Sequence, residues 1–516
     1  MANKSIFASS KSTKAAADTV NEAGGKAYAF GPEHALAQIA ATGCLNRTFY
    51  ASGEDQLDAV LDLAKKFDPK YVAKVAIFAR ERGYMKDMPA VLLAVLAKRD
   101  IALLRKVFMR VIDNGKMLRN FVQIVRSGKT GRKSLGHGPK ELVKAWLESK
   151  DDRRLLEASV GNDPSLVDVI KMAHPKAGNE TRNAFYGYLL GREHDKRKLP
   201  EIVRQYEDYK TGKTKRVPDV PHQLLTSLTL GKDEWTQIAK DAKWHSTRMN
   251  LNTFMRHGVL EDKGMVRLIA DRLKDPEQVR KAKVFPYQLM VAYQTATDVP
   301  HEIREALQDA MEIATENIPE IDGKIFVFPD VSGSMESPVT GNRGSATTAV
   351  TCRDVAALVA SAIVRRNRTA EVIPFSDHVV SFSFNPRDSV MTNAEKLSKL
   401  PSGGTNCSAP LIELNRRGEK ADLVVYVSDN QSWVDGMHGG RSTATMEAFA
   451  ELKKRSPEAK MVLLDIQPYG STQAKEREDI LNIGGFSDEI FEIISEFAHG
   501  KLASDHWVGE IERITL

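Results

Sequence analysis

An α-helical solenoid followed by a doubly wound α/β domain is the architecture the sequence predicts, and three observations predict it. Apolar residues recur at helical spacing from about Pro32 to Asn317. Beyond Ile318, short apolar runs alternate with helical stretches, the pattern of a parallel sheet. The charge balance also changes sign near that point. At 516 residues the chain is too long for one ordinary core, which agrees with two or more domains.

In the first half, Leu57, Val60, Leu61, Ala64 and Phe67 mark one helical face, and Val72, Val75, Ala76 and Ala79 mark the next after Asp68-Pro69. Pro89–Leu93 and the set Leu103, Leu104, Val107, Phe108, Val111 and Ile112 continue the series, with Pro, Gly, Asp or Asn at the breaks. No strict repeat is present in the letters. Antiparallel helix pairs of about 35–45 residues fit a degenerate HEAT-like solenoid. An irregular all-α domain is the alternative, and a four-helix bundle would not accommodate so many short helices.

The second half begins with the apolar run Ile325–Phe328. A helical stretch, Val355–Val364, follows, and then the strand candidates Glu371–Phe375, Asp422–Ser428 and Lys460–Asp465. Ligands bind such sheets beyond the C-terminal ends of the strands. Gly24-Gly25, Gly439-Gly440 and Gly484-Gly485 read as turns.

Composition narrows the function classes. Forty-two per cent apolar residues and a mean hydropathy of −0.35 describe a soluble globular protein. No apolar stretch approaches the roughly 20 residues of a membrane helix, so no membrane role is expected. The Ser-, Lys- and Ala-rich residues 1–25 lack an apolar signal segment and read as a flexible leader. Cys44, Cys352 and Cys407 form no CxxC pair, which favours a reducing, cytoplasmic setting. No GxSxG, GxxxxGK[ST] or HExxH motif appears, so the expectation is that the protein is not an enzyme.

Charge is unevenly shared. Residues 1–320 carry 53 Lys and Arg against 41 Asp and Glu, and the remainder carries 21 against 27, so the halves are +12 and −6. Segment 101–150 alone holds 12 basic and 3 acidic residues. A basic front half points to a polyanionic partner.

Asp330-Val331-Ser332-Gly333-Ser334 places one carboxylate and two hydroxyls at alternate positions just after the first strand. Oxygen ligands of this kind suit a hard divalent cation, magnesium above all. Gly403-Gly404-Thr405 adds a hydroxyl on a glycine-rich loop, and Asp429 a carboxylate at the end of a strand. The bland reading makes Asp330 and Asp429 caps of helices and turns; capping does not explain three convergent segments. DxSxS, a GGT threonine and a post-strand aspartate, in that order, resemble the metal-ion-dependent adhesion site of von Willebrand factor A domains. That resemblance implies Ser332, Ser334 and Thr405 as direct or near-direct ligands, with Asp330 and Asp429 anchoring through water.

A basic loop, Arg126 to Lys140, leads into the helical run Glu141–Leu147, with Lys140 and Lys144 four apart on one face. Lys171-Met172-Ala173-His174-Pro175-Lys176 adds a second basic turn, and in a solenoid the two turns would lie on one edge. A solvated basic face is the plainer reading. Together with Gly404–Ser408, Ser428-Asp429-Asn430 and Trp244–Val259, these segments resemble the Ro autoantigen family, in its bacterial form, over nearly the whole chain beyond the leader. Asn430, where many von Willebrand A domains have glycine, fits that family.

The resemblance implies a ring of HEAT-like repeats, the TROVE module (residues 26–318), closed by a Rossmann-like von Willebrand A domain (319–516). It further implies binding of Y RNA and of structured or misfolded noncoding RNA, in partnership with an exoribonuclease. Carried onto this sequence, Arg132, Lys133, His137, Lys140, Lys144, Lys171, His174 and Lys176 become RNA contacts, with Arg248, Asn250 and Asn252 weaker ones. Asn250 and Asn252 cannot share one helical face. Phe185, Tyr186 and Tyr188 could stack bases, although helical packing is the commoner use of such residues. The rival expectation is a protein-interaction adaptor whose metal site grips an acidic group on a partner, with the helices as passive scaffold.

Overall fold

Polar breaks between the apolar runs of the first half become helix starts. In the computed structural model, which describes residues 15–516 apart from 163, 226, 283, 285, 317, 343, 345–347, 386, 434–440, 488 and 503–505, the early helices are α1 (Pro32–Thr42), α2 (Gly53–Lys66), α3 (Pro69–Glu81), α4 (Asp87–Arg99) and α5 (Ile101–Val111). They continue as α6 (Gly115–Arg126), α7 (His137–Ser149), α8 (Asp152–Ala158), α9 (Leu166–Ala173) and α10 (Glu180–Leu189). Asp68, Asp100, Asn114 and Asp151 each accept a backbone N–H of the following first turn. Ser165 and Asp168 close a reciprocal capping box on α9.

Two compact units divide the chain. Residues through Val60, with 285–294 and Met311–Arg513, form one; Leu61–Val284, Thr295–Ala310 and Ile514–Leu516 form the other. In the helical unit, α3, α5, α7 and α9 pack in succession, while α4, α6 and α8 stack as a second layer. Alternate helices stacking in two layers is a solenoid. Helix α4 is buried from Met88 to Ala97 because it has helices on both sides, whereas α5 buries only the stripe Leu103, Leu104, Val107, Phe108 and Val111.

The other unit is built on a five-stranded parallel sheet. Its strands are β3 (Ile325–Pro329), β4 (Glu371–Val372), β5 (Leu423–Ser428), β6 (Lys460–Asp465) and β8 (Ile480–Gly484), in the order β4-β3-β5-β6-β8. Fully buried Val, Leu, Ile and Phe fill β3 and β5, as expected for strands covered on both faces. Phe326, Phe328, Phe375, Tyr426 and Phe449 anchor the core. The strand order reverses direction between β3 and β5, which opens a crevice at their C-terminal ends.

The expected leader, residues 1–25, is shorter than composition implied. Residues 1–14 lie outside the described residues. From Thr19 the chain is structured: β1 (Thr19–Val20) pairs antiparallel with β2 (Lys26–Ala29), and β2 pairs with β7 (Ser471–Thr472). Gly24 at φ +82° makes the hairpin turn. Asn21 Nδ2 donates to the Ser432 carbonyl at 2.8 Å, and α1 packs on β8 and the helix His506–Glu512. Residues 26–60, expected in the helical module, therefore pack with the sheet domain. Two- and four-residue strands held by pairing across more than 400 residues leave no local periodicity to read. Gly439-Gly440 lies outside the described residues.

Candidate functional site

Register builds the metal-type site. Pro329 pairs with Val427 and Ser428 with Asp465, so the residues that follow β3 and β5 emerge side by side at the switch-point crevice. Asp330, Ser332, Ser334, Thr405 and Asp429 are all buried there. Ser332 N–H donates to Asp330 Oδ1 at 2.8 Å and Ser428 Oγ–H to Asp330 Oδ2 at 2.5 Å, so Asp330 orders the loop with both oxygens. The Ser332 and Ser334 hydroxyls converge to 3.3 Å. Gly333 N–H donates to the Gly403 carbonyl at 2.9 Å, which brings the glycine-rich loop of Thr405 against the DxSxS loop. A Cβ at Gly404 would meet the Trp433 indole nitrogen, so a side chain there would have to displace the indole.

Electrostatics at the crevice favour a cation. Burial, opposed by hydrogen bonds from Ser332 and Ser428, pushes the Asp330 carboxyl above the usual carboxylate range. Burial and then the neighbouring Asp330 charge push Asp429 up to about 7. Gln431 N–H donates to Asp429 Oδ1 at 3.2 Å, while Asp429 Oδ2 is buried without a hydrogen-bond partner among the described residues. Such an orphaned oxygen, beside two convergent hydroxyls, fits a hard divalent cation. Among the described residues no group of three or more His, Cys, Asp or Glu gathers as a metal site, so hydroxyls would supply much of the ligand set. Arg353 is buried beside the loop and donates to the carbonyls of Val331 and Leu400.

Several residues of this site escaped the sequence reading. Asp465, at the end of β6, accepts from Asn430 Nδ2 and from Gln38 Nε2 at 3.1 Å. Asn430 adopts φ +57°, which is why an asparagine stands where other such domains use glycine. A turn closed by Thr48 N–H to the Ala51 carbonyl at 2.9 Å carries Tyr50, whose phenol stands beside Ser334 and Asp429. Burial and then the Asp429 charge raise that phenol to about 12. Tyr50 and Tyr469 rings meet edge to face at 5.4 Å. No spacing rule connects residue 50 with residue 334.

In the helical unit, the basic loop ends at the N-terminus of α7. Lys133 and His137 are exposed, and Lys140 and Lys144 are half-exposed on one face of α7, Lys144 with Glu141 at 3.5 Å. Arg132 donates to the Leu135 carbonyl at 3.1 Å and so also braces the loop. Lys98, at the end of α4, approaches Gly131 and joins this patch; nothing in the sequence around it announced that.

The second basic turn does not share an edge with the first. Lys176 N–H donates to Glu148 Oε1 at 2.8 Å, which puts that turn at the C-terminal end of α7, about 12 Å along the axis from Lys140. Helices α7 and α9 run parallel, and that separates their flanking turns. Lys171 and His174, the latter in a left-handed helix cap at φ +51°, line a cavity of about 430 Å³ with Asn183, Tyr186 and Arg192. Arg248 sits on the helix Trp244–Met249, which packs on helices Lys263–Lys274 and Pro276–Ala282. Asn250 donates to the Ser246 carbonyl and Asn252 to that of Thr295, both structural uses. Phe185 and Tyr186 are buried, and the Tyr188 hydroxyl donates to Glu207 at 2.7 Å.

Fold and site together define a two-part class: a helical-repeat module joined to a von Willebrand factor A domain. Residues 324–498 match the family model of the Ro60 vWA domain. The chain is 23% identical over 522 residues to the RNA-binding protein RO60 of Deinococcus radiodurans, covering 93% of this chain and 95% of that one. It is 26% identical over 299 residues to the RNA-binding protein RO60 of Caenorhabditis elegans, covering 54% and 44% respectively. The crystal structure of the Deinococcus radiodurans RO (RSR) protein superposes with a TM-score of 0.63 at 19% identity, over 92% of this chain and 100% of that one, and shows the shared fold. The resemblance to Ro proteins thus extends over nearly the whole chain.

Proposed function

We propose that this chain is a non-catalytic RNA-binding protein whose helical unit binds Y RNA and structured or misfolded small noncoding RNA in the cytoplasm, scaffolding processing or quality control with an exoribonuclease partner. The observation that carries the reading is the basic loop at the start of α7, where Lys133, His137, Lys140 and Lys144 lie together and Lys98 joins them. Two curated relatives bear the name RNA-binding protein, which supports it. Cations at a helix N-terminus grip phosphate oxygens and set register without reading bases.

In the same reading the crevice of Ser332, Ser334 and Thr405, anchored by Asp330 and Asp429, holds magnesium. The bound cation would supply an open coordination position for an acidic group on a protein partner, since neutral hydroxyls leave part of its charge uncompensated. Ser428 and Arg353 keep the loop in place for that purpose. Among the described residues no helix is long and apolar enough to cross a membrane.

Charge reversal of Lys140 and Lys144 tests the reading. Binding of a stem-loop RNA, followed by anisotropy against salt, should weaken, and its log–log salt slope should fall by roughly 2 as two phosphate contacts are lost. An unchanged affinity and slope would remove the loop from the mechanism. RNase-resistant, nucleic-acid-free protein that captures a partner only with magnesium would favour the adaptor reading, which Asp429 Oδ2 independently recommends.

A further inference from the structure

The metal crevice has an apolar rim that its hydroxyls and carboxylates do not explain. Of the large aromatic side chains that stand exposed among the described residues, Phe49, Tyr84 and Trp433, two stand at this one crevice. Trp433 lies on the glycine-rich side: its N–H donates to the Thr405 carbonyl at 3.2 Å, and its indole nitrogen would meet a Cβ at Gly404. Phe49 approaches from the DxSxS side. Its ring meets Tyr50 edge to face at 4.7 Å, and the Tyr50 phenol stands beside Ser334 and Asp429. Phe49 is 54% exposed and Trp433 41%, so neither ring is absorbed into the core of the domain.

Both rings are carried on backbone that is pinned at several points. Asn46 Nδ2 donates to the Thr340 carbonyl at 2.9 Å and Asn342 N–H to the Arg47 carbonyl at 2.8 Å, which ties the Phe49 loop to the chain just beyond the DxSxS run. Tyr50 N–H donates to the Tyr469 hydroxyl at 3.2 Å. Asn21 Nδ2 holds the Ser432 carbonyl at 2.8 Å, one residue before Trp433. Exposed rings on a fixed backbone lose little freedom when a partner covers them, so their contact area turns more fully into affinity. Two acids of the neighbourhood are already matched: Glu336 pairs with Arg353 at 3.3 Å, and Asp377, against Gly403, pairs with His378 at 2.6 Å. Arg47, exposed on the Phe49 loop, has no carboxylate partner among the described residues.

We propose that Phe49 and Trp433 are the specificity determinants of this crevice, selecting a short protein segment in which an acidic side chain sits beside an aromatic or branched apolar one. The inference rests on the reading of the crevice as a metal-dependent docking site and deepens it by giving the chemistry of the partner. A cation alone accepts any carboxylate; the rings discriminate among them. Charge sets the polar half of the match, since a cation held largely by neutral hydroxyls, with Arg47 on the adjoining loop, favours an acid. Area sets the other half. A fully covered aromatic ring buries about 150–250 Å², so two half-exposed rings offer roughly that much together. A standard interface between folded proteins takes about 800 Å² from each partner. The rim therefore suits one or two anchor side chains on a short segment rather than a broad folded face.

The test pans a phage-displayed random peptide library on the immobilised full chain in magnesium, elutes with EDTA, and measures the most enriched peptide in solution by anisotropy. The proposal expects enriched sequences to place Asp or Glu within a residue or two of Phe, Trp, Leu or Ile. F49S and W433S should each weaken that peptide about three- to tenfold with magnesium stoichiometry unchanged, F49L and W433L should keep most of the affinity, and D330A should abolish it. EDTA-released peptides that carry an acid without an apolar neighbour, and that bind F49S and W433S as tightly as wild type, would overturn the rim while leaving metal-dependent docking intact. Loss of magnesium together with peptide in the serine variants would make the rings supports of the metal loop and overturn the rim as well. Peptides that bind D330A as tightly as wild type, or none released by EDTA, would overturn the metal-dependent reading on which the rim depends.

Discussion

Two carboxylates buried in one loop cluster repel each other unless a cation or a proton intervenes, and Asp330 and Asp429 are in that position. With no orphan atom on Asp330 and one on Asp429, the unsatisfied demand falls on Asp429 Oδ2. D429N should abolish magnesium binding in titration calorimetry and manganese binding by paramagnetic resonance; an unchanged stoichiometry would place the metal elsewhere. Two further buried groups make stability depend on pH. Burial raises Glu476 to about 7 although Asn482 donates to it twice. Its folded state holds the proton more tightly than the unfolded chain, so that stability is present below the ordinary glutamate pKa and is lost as pH rises through 7.

His34 works in the opposite sense. Stacked on Phe30 at 4.3 Å and edge-on to Trp507, it is held down to about 3 by burial and then by His506. Its contribution is present above the ordinary histidine pKa and is lost as pH falls from there toward 3. Thermal melts of E476Q should lose part of the decline between the ordinary glutamate pKa and pH 7, and those of H34F part of the decline below pH 6. Melting curves that keep the wild-type pH profile would show that these groups do not govern it. At this scale the motif letters Asp330, Ser332, Ser334, Thr405 and Asp429 were legible because they lie in three short runs. Tyr50 and Asp465 were not, because a distant turn and sheet register, not spacing, bring them in.

Elements stand or fall on their caps and on close approaches. The N-caps Asp68, Asp100, Asn114 and Asp151 each stop one apolar period and begin the next, which is why the helices of the first half could be read from the sequence. The α6–α8 contact was invisible, since Gly115 reads as a break and only the fold shows Ala158 against it. G115A should destabilise the helical unit by about 1–3 kcal/mol through overpacking; a denaturation midpoint within error of wild type would mean that α8 can move away at no cost. The short strands β1, β2 and β7 were missed for the opposite reason: each is too brief for an alternation to register. The edge shared by the two basic turns failed because parallel α7 and α9 place the flanking loops at opposite ends.

Charge divides the whole molecule as the sequence divides it, a net +12 in residues 1–320 and −6 beyond. The boundary in structure is less tidy, because residues 15–60 are chemically part of the leader and helices yet belong with the sheet unit. Fold class survived this because hydrophobic period depends on local residues, whereas unit membership depends on pairing across the chain. The division of labour is the central claim: RNA on the basic helices, metal at the switch point of the sheet. Stem-loop affinity of D330A and K140E/K144E, measured side by side by anisotropy with metal content determined on the same samples, tests it most directly. The account predicts that D330A is metal-free yet binds RNA as wild type does, while K140E/K144E keeps its metal and loses RNA affinity. Loss of RNA binding in D330A, with K140E/K144E unaffected, would contradict it.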